Sequence, residues 1–300
     1  MDRFLAMRVF VSVAEERGFA AAARRLAMSP PAVTRFVSAL EQSLGAQLLQ
    51  RTTRNVRLTD AGTRYLADCK RLLGELEDAE LALSGAQGEL RGPLALTASV
   101  MFGRMFVAPI LLGFLDQHPK VQARALFADR VVDLIEERID VAVRIARLPD
   151  SSFTALRVGT VREVVVASPA YVKQHGAPKS PRELSDLTVI SFATNLSAPA
   201  WSFGKGKRAI TIRPSSRLIV NSSEVALQAV LAGAGITRMI SYMAAADIKA
   251  GRLKVLLSEF EPEPLPIHVI HREGKNAAAR VRAFVDFAVD QLRAHPLLKA

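Results

Sequence analysis

Residues Phe19 to Gly62 read FAAAARRLAMSPPAVTRFVSALEQSLGAQLLQRTTRNVRLTDAG, and this stretch decides the fold. Phe19, Ala22, Ala23 and Leu26 fall at i, i+3, i+4 and i+7, the stripe of a short helix that buries one face. Ala27-Met28-Ser29 is a tight turn. Ser29 is placed to accept from the first free N–H groups of a second helix, and Pro30 or Pro31 fits the opening turn, where no N–H is needed. Val33, Phe36, Val37 and Leu40 repeat the apolar stripe, and Thr34, Arg35 and Ser38 share the opposite face. A short helix with an apolar back and a donor-rich front is how a helix-turn-helix reads base edges in the major groove. Gln50 to Thr59 then carries Arg51, Arg54 and Arg57 among β-branched residues, with Asn55 suited to a turn. A basic two-stranded wing there supplies phosphate contacts or an arginine for the minor groove.

Each piece alone has a plainer reading. Paired short helices are mostly just packed helices, and arginines in a hairpin are mostly solvated. Their contiguity, followed by a long helix, favours DNA binding. The expected DNA-facing set is Ser29, Pro30, Pro31, Thr34, Arg35, Ser38, Arg51, Thr53 and Arg54. Within it Thr34 and Arg35 are the base readers, and Ser29, Arg51 and Arg54 hold the backbone.

The strings AARRL, SPPAV, Leu44-Gly45, LLQRTTR and LTDAG resemble the N-terminal domain of the LysR-type transcriptional regulators. Two positions depart from that pattern. Gly18 stands where the family often has a serine, a weaker cap. Pro31 stands where a hydroxyl residue is frequent, which removes one possible contact and ranks it below Thr34 and Arg35.

A length of 300 residues suits two or three domains, and 50% hydrophobic content supplies a large core. No run approaches the roughly 18 apolar residues that span a bilayer. Met1 to Phe10 reads as an amphipathic helix rather than a signal segment. The single cysteine, Cys69, excludes an intrachain disulfide and fits the cytoplasm. Residues 1–59 hold nine arginines and four acids, residues 60–90 three bases and seven acids, and residues 91–300 28 bases and 18 acids. Most of the net +11 therefore lies outside the DNA-binding part. It adds a weak nonspecific pull on DNA, favours an anionic ligand, or is only a solvated basic surface.

Tyr65, Cys69, Leu72, Leu76, Ala79 and Leu83 are spaced 4, 3, 4, 3, 4 along a helix expected from Asp60 to about Gln87. That is a heptad seam, which favours pairing with a second copy. Two helix-turn-helix units on one dimer would read the half-sites of an interrupted palindrome. The resemblance implies the same dimerising linker helix. It further implies a tetramer through the effector lobes and counts RNA polymerase among the partners. Cys69 is a small buried apolar group, with a redox sensor as the lesser alternative. Gly92-Pro93 reads as a hinge.

Beyond it the pattern alternates. Strands are expected at 94–98, 121–127, 139–145, 163–167, 187–192, 235–239 and 265–271. Helices are expected at 102–118, 129–138, 224–232 and 278–292. This is α/β around a mostly parallel sheet. The strings DLIEERIDVAVRI, ASPAYV, NSSEVALQAVLAGAGI and AGRL resemble the periplasmic-binding-protein-like effector domain of the LysR-type regulators. The expected fold is therefore α/β with an N-terminal all-α winged helix-turn-helix at 1–59, a linker helix and hinge at 60–92, and a two-lobed effector domain at 93–300. Lobe I takes 93–163 and 267–300, and lobe II takes 164–266.

Ligands of such folds sit at the carboxyl ends of strands, near helix N-termini. The candidates are Ser99, Val100, Met101, Ala146, Arg147, Asn195, Asn221, Ser222 and Arg238. Asn221 with Glu224 is also a capping box, which alone would explain both. Met101, Phe102 and Met239 suit a ligand with an apolar or aromatic part. No metal and no cofactor is expected beyond a small-molecule effector. His268 and His271 lie three apart on a strand, facing opposite sides. There is no phosphate loop, cysteine cluster or GxSxG turn, so an enzyme is set well below a regulator. An architectural DNA binder without an effector is the second alternative.

Overall fold

The computed structural model describes residues 2–51, 56–83, 89–148, 153–206, 209–271 and 277–299. They fall into two compact units.

In the first unit, the Asp2 carboxylate accepts the Leu5 amide at 3.1 Å and opens α1 (Arg3–Glu16). α2 (Phe19–Arg25) and α3 (Pro30–Leu44) are the expected helix pair. Ala22, Ala23, Val33, Val37 and Leu40 are buried against Val9, Phe10 and Val13 of α1, while Phe19, Leu26 and Phe36 are partly buried at the margin. β1 (Leu49–Arg51) pairs antiparallel with β2 (Val56–Leu58), the base of the wing. α4 (Asp60–Leu83) follows. Thr53, Arg54 and Asn55 of the expected wing tip lie outside the described residues.

α4 corrects the heptad reading in part. Tyr65 packs on Phe10 with ring centroids 5.7 Å apart, Cys69 is fully buried, and Leu72 rests on the same core. The N-terminal half of the stripe is thus used within the chain, because α4 lies along α1. Leu73, off the heptad, joins the core too. Leu76 keeps part of its surface, and the side chains of Ala79 and Leu83 lie outside the described residues.

The second unit holds two five-stranded sheets. Lobe I contains β3 (Arg91–Ala98), a helix built from α5 (Val100–Phe102), a π-helical turn (Gly103–Val107) and α6 (Ala108–Gln117), then β4 (Lys120–Phe127), β5 (Val141–Ile145) and β6 (Thr154–Val161). Lobe II contains β7 (Glu163–Ala167), α7 (Pro169–His175), β8 (Val189–Phe192), a hairpin of β9 (Trp201–Phe203) and β10 (Ile210–Ile212), β11 (Ser216–Val220), α8 (Ser223–Leu231), β12 (Ile236–Ile240), α9 (Ser241–Lys249) and β13 (Lys254–Leu256). β14 (Leu265–His271) returns to lobe I between β5 and β6, and α10 (Ala279–Ala294) closes it, Phe284 meeting Phe114 edge-on at 5.3 Å. Only Arg162 separates β6 from β7, and its guanidinium pairs at 3.1 Å with Glu261 on the returning segment. The two crossovers are thereby tied to each other.

Four expectations change. The sheets are mixed rather than mostly parallel: β3 runs parallel to β5 and β11 to β8, but β14 is antiparallel to β5 and β6, and β7 to β12 and β13. A strand that re-enters a sheet from the other lobe arrives running backwards. Residues 129–138 form turns, not a helix. Asp133 draws the Ile135 and Glu136 amides onto its side chain, and Arg138 adopts φ 53°, which stops the chain after one turn. Gly92-Pro93 lies within β3 rather than in a connecting loop, with Gly92 at φ 97° and the Pro93 carbonyl accepting from the buried Arg280 guanidinium at 2.6 Å. Finally, Val100–Gln117 is long and apolar enough by length and composition to cross a membrane, contrary to the expectation. Arg104 interrupts it, and its buried residues, Phe102, Phe106, Leu111 and Phe114 among them, face the lobe interior.

Candidate functional site

The reading helix α3 begins with Ser29 at the N-cap position, but the hydroxyl makes no capping bond. The cause is its neighbours. Pro30 and Pro31 have no N–H, and the amides of Ala32 and Val33 already reach the Ser29 carbonyl at 3.0 and 3.1 Å. This corrects the capping role and leaves the exposed hydroxyl facing outward. Thr34 donates its hydroxyl proton to the Pro30 carbonyl at 3.0 Å, so it offers a partner only lone pairs and a methyl group. Arg35 is exposed and, among the described residues, forms no hydrogen bond or ion pair. Ser38 is exposed one turn further on. The Glu41 carboxylate accepts the Leu48 and Leu49 amides at 2.8 and 3.1 Å, fastening the wing to the reading helix.

In the wing, Leu49 opposes Leu58, Gln50 opposes Arg57, and Arg51 opposes Val56. Leu49 is buried, so strand alternation turns Gln50 and Arg57 outward, and both are exposed. Arg57 is a candidate that the sequence reading passed over for Arg51 and Arg54. The period of two counted from Leu49 would have found it. Thr59 then joins wing to linker: its hydroxyl donates to the Gln47 carbonyl at 2.7 Å and accepts the Gly62 amide at 2.9 Å, capping α4.

The residues expected to meet an effector separate into three hollows. Ser99, Ala146 and Arg147 line a cavity of about 410 Å³ between the lobes. Val100, Met101, Asn221 and Ser222 line a smaller one of about 120 Å³. Arg238 lines a third, of about 220 Å³, within lobe II. Asn195 lines none of these, and its side chain accepts the Ser197 amide at 3.1 Å in a local turn. The capping box is also corrected. Ser222, not Asn221, is the N-cap of α8 and accepts the Val225 amide, and Glu224 instead pairs across the lobes with Arg104 at 2.7 Å.

The largest of these three owes its chemistry to residues the pattern did not mark. Tyr242, at the start of α9, is 1% exposed and its ring stands edge-on to Phe102 and Phe106 at 5.5 and 5.3 Å. Its hydroxyl is buried in the cavity wall near the Ser99 side chain and makes no full hydrogen bond among the described residues. Burial, only partly opposed by nearby Ser99, pushes that phenol well above the usual range, so it remains a donor. Asp129 accepts the Val100 amide at 3.0 Å and holds the start of α5 in place. Three arginines edge the cavity. Arg130 is bidentate to Glu137 at 2.7 and 3.0 Å, Arg147 pairs with Glu263 at 2.7 Å, and Arg144 donates to the Val132 carbonyl.

A winged helix-turn-helix followed by a two-lobed α/β domain is the build of a ligand-responsive DNA-binding regulator. Comparisons with known proteins agree. A family model described as the bacterial regulatory helix-turn-helix protein, lysR family, matches residues 4–63, and one described as the LysR substrate binding domain matches residues 87–293. The chain is 34% identical over 288 residues to the HTH-type transcriptional regulator PtxR of Pseudomonas aeruginosa, covering 96% of this chain and 92% of that one. The solved structure of CrgA, a LysR-type transcriptional regulator from Neisseria meningitidis, aligns at TM-score 0.61 and 30% identity, over 96% of this chain and 98% of that one. Full-length AphB, the Vibrio cholerae virulence activator, aligns at TM-score 0.61 and 25% identity over 95% and 98%. The chain belongs to the LysR family of transcriptional regulators.

Proposed function

We propose that this regulator reads an interrupted palindrome as an oligomer in the cytoplasm, that a small-molecule effector in the interlobe cavity sets its activity, and that it is not an enzyme. The observation that carries the DNA-reading half is the uncommitted Arg35 guanidinium on the solvent face of α3, fixed beside the wing by Glu41. An arginine with no internal partner loses little on meeting a guanine edge.

For the effector, support comes from the buried Tyr242 hydroxyl, which has the Ser99 side chain close by but makes no full hydrogen bond among the described residues. Such a group costs free energy until something accepts from it. The cavity therefore suits a molecule with an acceptor oxygen near Ser99 and Tyr242 and an apolar body against Phe192 and Met243. Binding there shifts the closure of the lobes, and through the oligomer the spacing of the DNA-binding units and the bend of the DNA. The partly exposed Leu76 supports pairing of α4 with a second copy.

Footprinting on the intergenic DNA upstream of the gene, at near-physiological salt with excess nonspecific competitor, tests the reading. A protected interrupted palindrome that Arg35→Ala abolishes is the expected result. Uniform protection, unchanged by that substitution, would refute sequence-specific reading.

A further inference from the structure

The lobe II chamber of about 220 Å³ is built differently from the cleft. Arg238 lies on β12 and Glu163 on β7. The antiparallel register sets Ile240 opposite Glu163 and Arg238 opposite Val165, so the two charged residues are diagonal neighbours on one face of the sheet. Their nearest N and O are 3.4 Å apart, with side chains only 15% and 23% exposed. The guanidinium stands 5.5 Å from the centre of the Trp201 ring and donates one N–H to the Ser202 carbonyl at 3.2 Å. A guanidinium has five N–H donors, so most of its donor capacity is unused among the described residues.

A loose, largely desolvated ion pair contributes little to stability compared with apolar packing. Here it also faces a hollow, where close-packed side chains would be expected if its role were structural. Most of the remaining lining is apolar, Met239, Met243, Phe192 and Trp201 among it, and Ser223 adds one more polar side chain. Both signs of charge therefore sit side by side in a mostly apolar chamber. A lone anion is repelled by Glu163 and a lone cation by Arg238, whereas a molecule carrying both on neighbouring atoms meets each with its opposite. We propose that this chamber binds an apolar α-amino acid, carboxylate on Arg238 and ammonium on Glu163, with the side chain against the methionines and Trp201.

The chamber shares Phe192, Ile240 and Met243 with the interlobe cavity, so its occupant repositions a wall of the cleft. The assignment goes beyond the effector reading and stands whether or not the cleft holds a ligand.

Trp201 is the sole tryptophan of the chain, so its fluorescence reports on this chamber directly. The full-length protein is titrated with L-leucine, L-methionine and L-phenylalanine. The tightest binder is then compared with its analogues lacking the ammonium or the carboxylate. The expected result is a saturable change with at least one amino acid, weakened about tenfold or more by removal of either charge and by Arg238→Gln or Glu163→Gln. Absence of saturation below about 10 mM with all three amino acids overturns the proposal. Equal binding of the analogue without the ammonium overturns the amino-acid class and leaves a carboxylate site. Unchanged binding in Arg238→Gln overturns the location. The analogue comparison uses the wild-type protein, so it does not depend on the variants folding, and footprinting reads the DNA function separately.

Discussion

A Cβ added at Gly62 would stand 1.9 Å from the Leu48 carbonyl oxygen, inside any permissible contact, and backbone cannot swing aside as a side chain can. Gly62→Ala is therefore expected to push α4 off the root of the wing at a cost of about 1–3 kcal/mol, read as a lowered denaturation midpoint together with lost DNA binding. Arg35→Ala tests function without touching packing. It is expected to cost about 1–3 kcal/mol on the specific site and to relax base preference. Equal losses on random DNA would show a phosphate contact only. Thr34 and Arg35 were legible as outward-facing because the stripe of Val33, Val37 and Leu40 fixes the buried side. Neither the bond of Thr34 to Pro30, a back-bond that threonine makes to the carbonyl four residues earlier, nor the idleness of the Ser29 hydroxyl, which follows from two adjacent prolines lacking N–H groups, was legible in that stripe.

At the scale of elements, spacing located the apolar face of α4 but not what covers it. The same period serves a coiled coil and a helix lying on α1, and the contact of Tyr65 with Phe10 decides for the second over the first turns. Leu76→Arg is expected to shift the protein towards monomer in analytical ultracentrifugation while leaving the fold intact, because Leu76 is not among the residues of the DNA-binding core. An unchanged sedimentation coefficient would move the dimer contact elsewhere. Residues 129–138 show the opposite failure: Val131 and Ile135 carry helical spacing, yet they are 86% and 59% exposed because side-chain and backbone bonds of Asp133 close a single turn. The site split for a related reason. Strand ends marked Ser99, Ala146 and Arg147 correctly as neighbours, but Arg238 sits on β12 two residues from its end, and the hairpin of β9 and β10, too short to show a period, walls it into a separate chamber. At the π-helical turn, a Cβ on Gly103 would lie 2.3 Å from the Phe127 ring. Gly103→Ala is expected to lower the stability of the effector domain by about 1–3 kcal/mol in thermal unfolding, with wing and reading helix unaffected.

Over the whole molecule, charge and titration set the conditions of use. Arg57→Ala is expected to weaken all DNA sites alike and to lower the salt slope by about one; an unchanged slope would remove Arg57 from the interface. Burial holds His268 and His271 of β14 below their ordinary value of 6.5, only partly opposed by the Ala146 backbone and by Asp286 respectively. A base whose folded pKa is depressed resists protonation when folded but accepts it when unfolded. Stability from these two is therefore fully present above about pH 6.5 and declines as pH falls through that value, a loss that His271→Gln should lessen in denaturant titrations from pH 8 to pH 5.5. Cys69 has a bearing on how such openings can be followed. Burial pushes its thiol up to about 11, against the pull of Tyr65, so in the closed core it is almost entirely protonated and sealed from reagents. It is also the only thiol in the chain. Each alkylation event in a slow labelling time course must then wait for the N-terminal core to part, which makes the native protein its own clock for that rare excursion, with bound DNA expected to slow it.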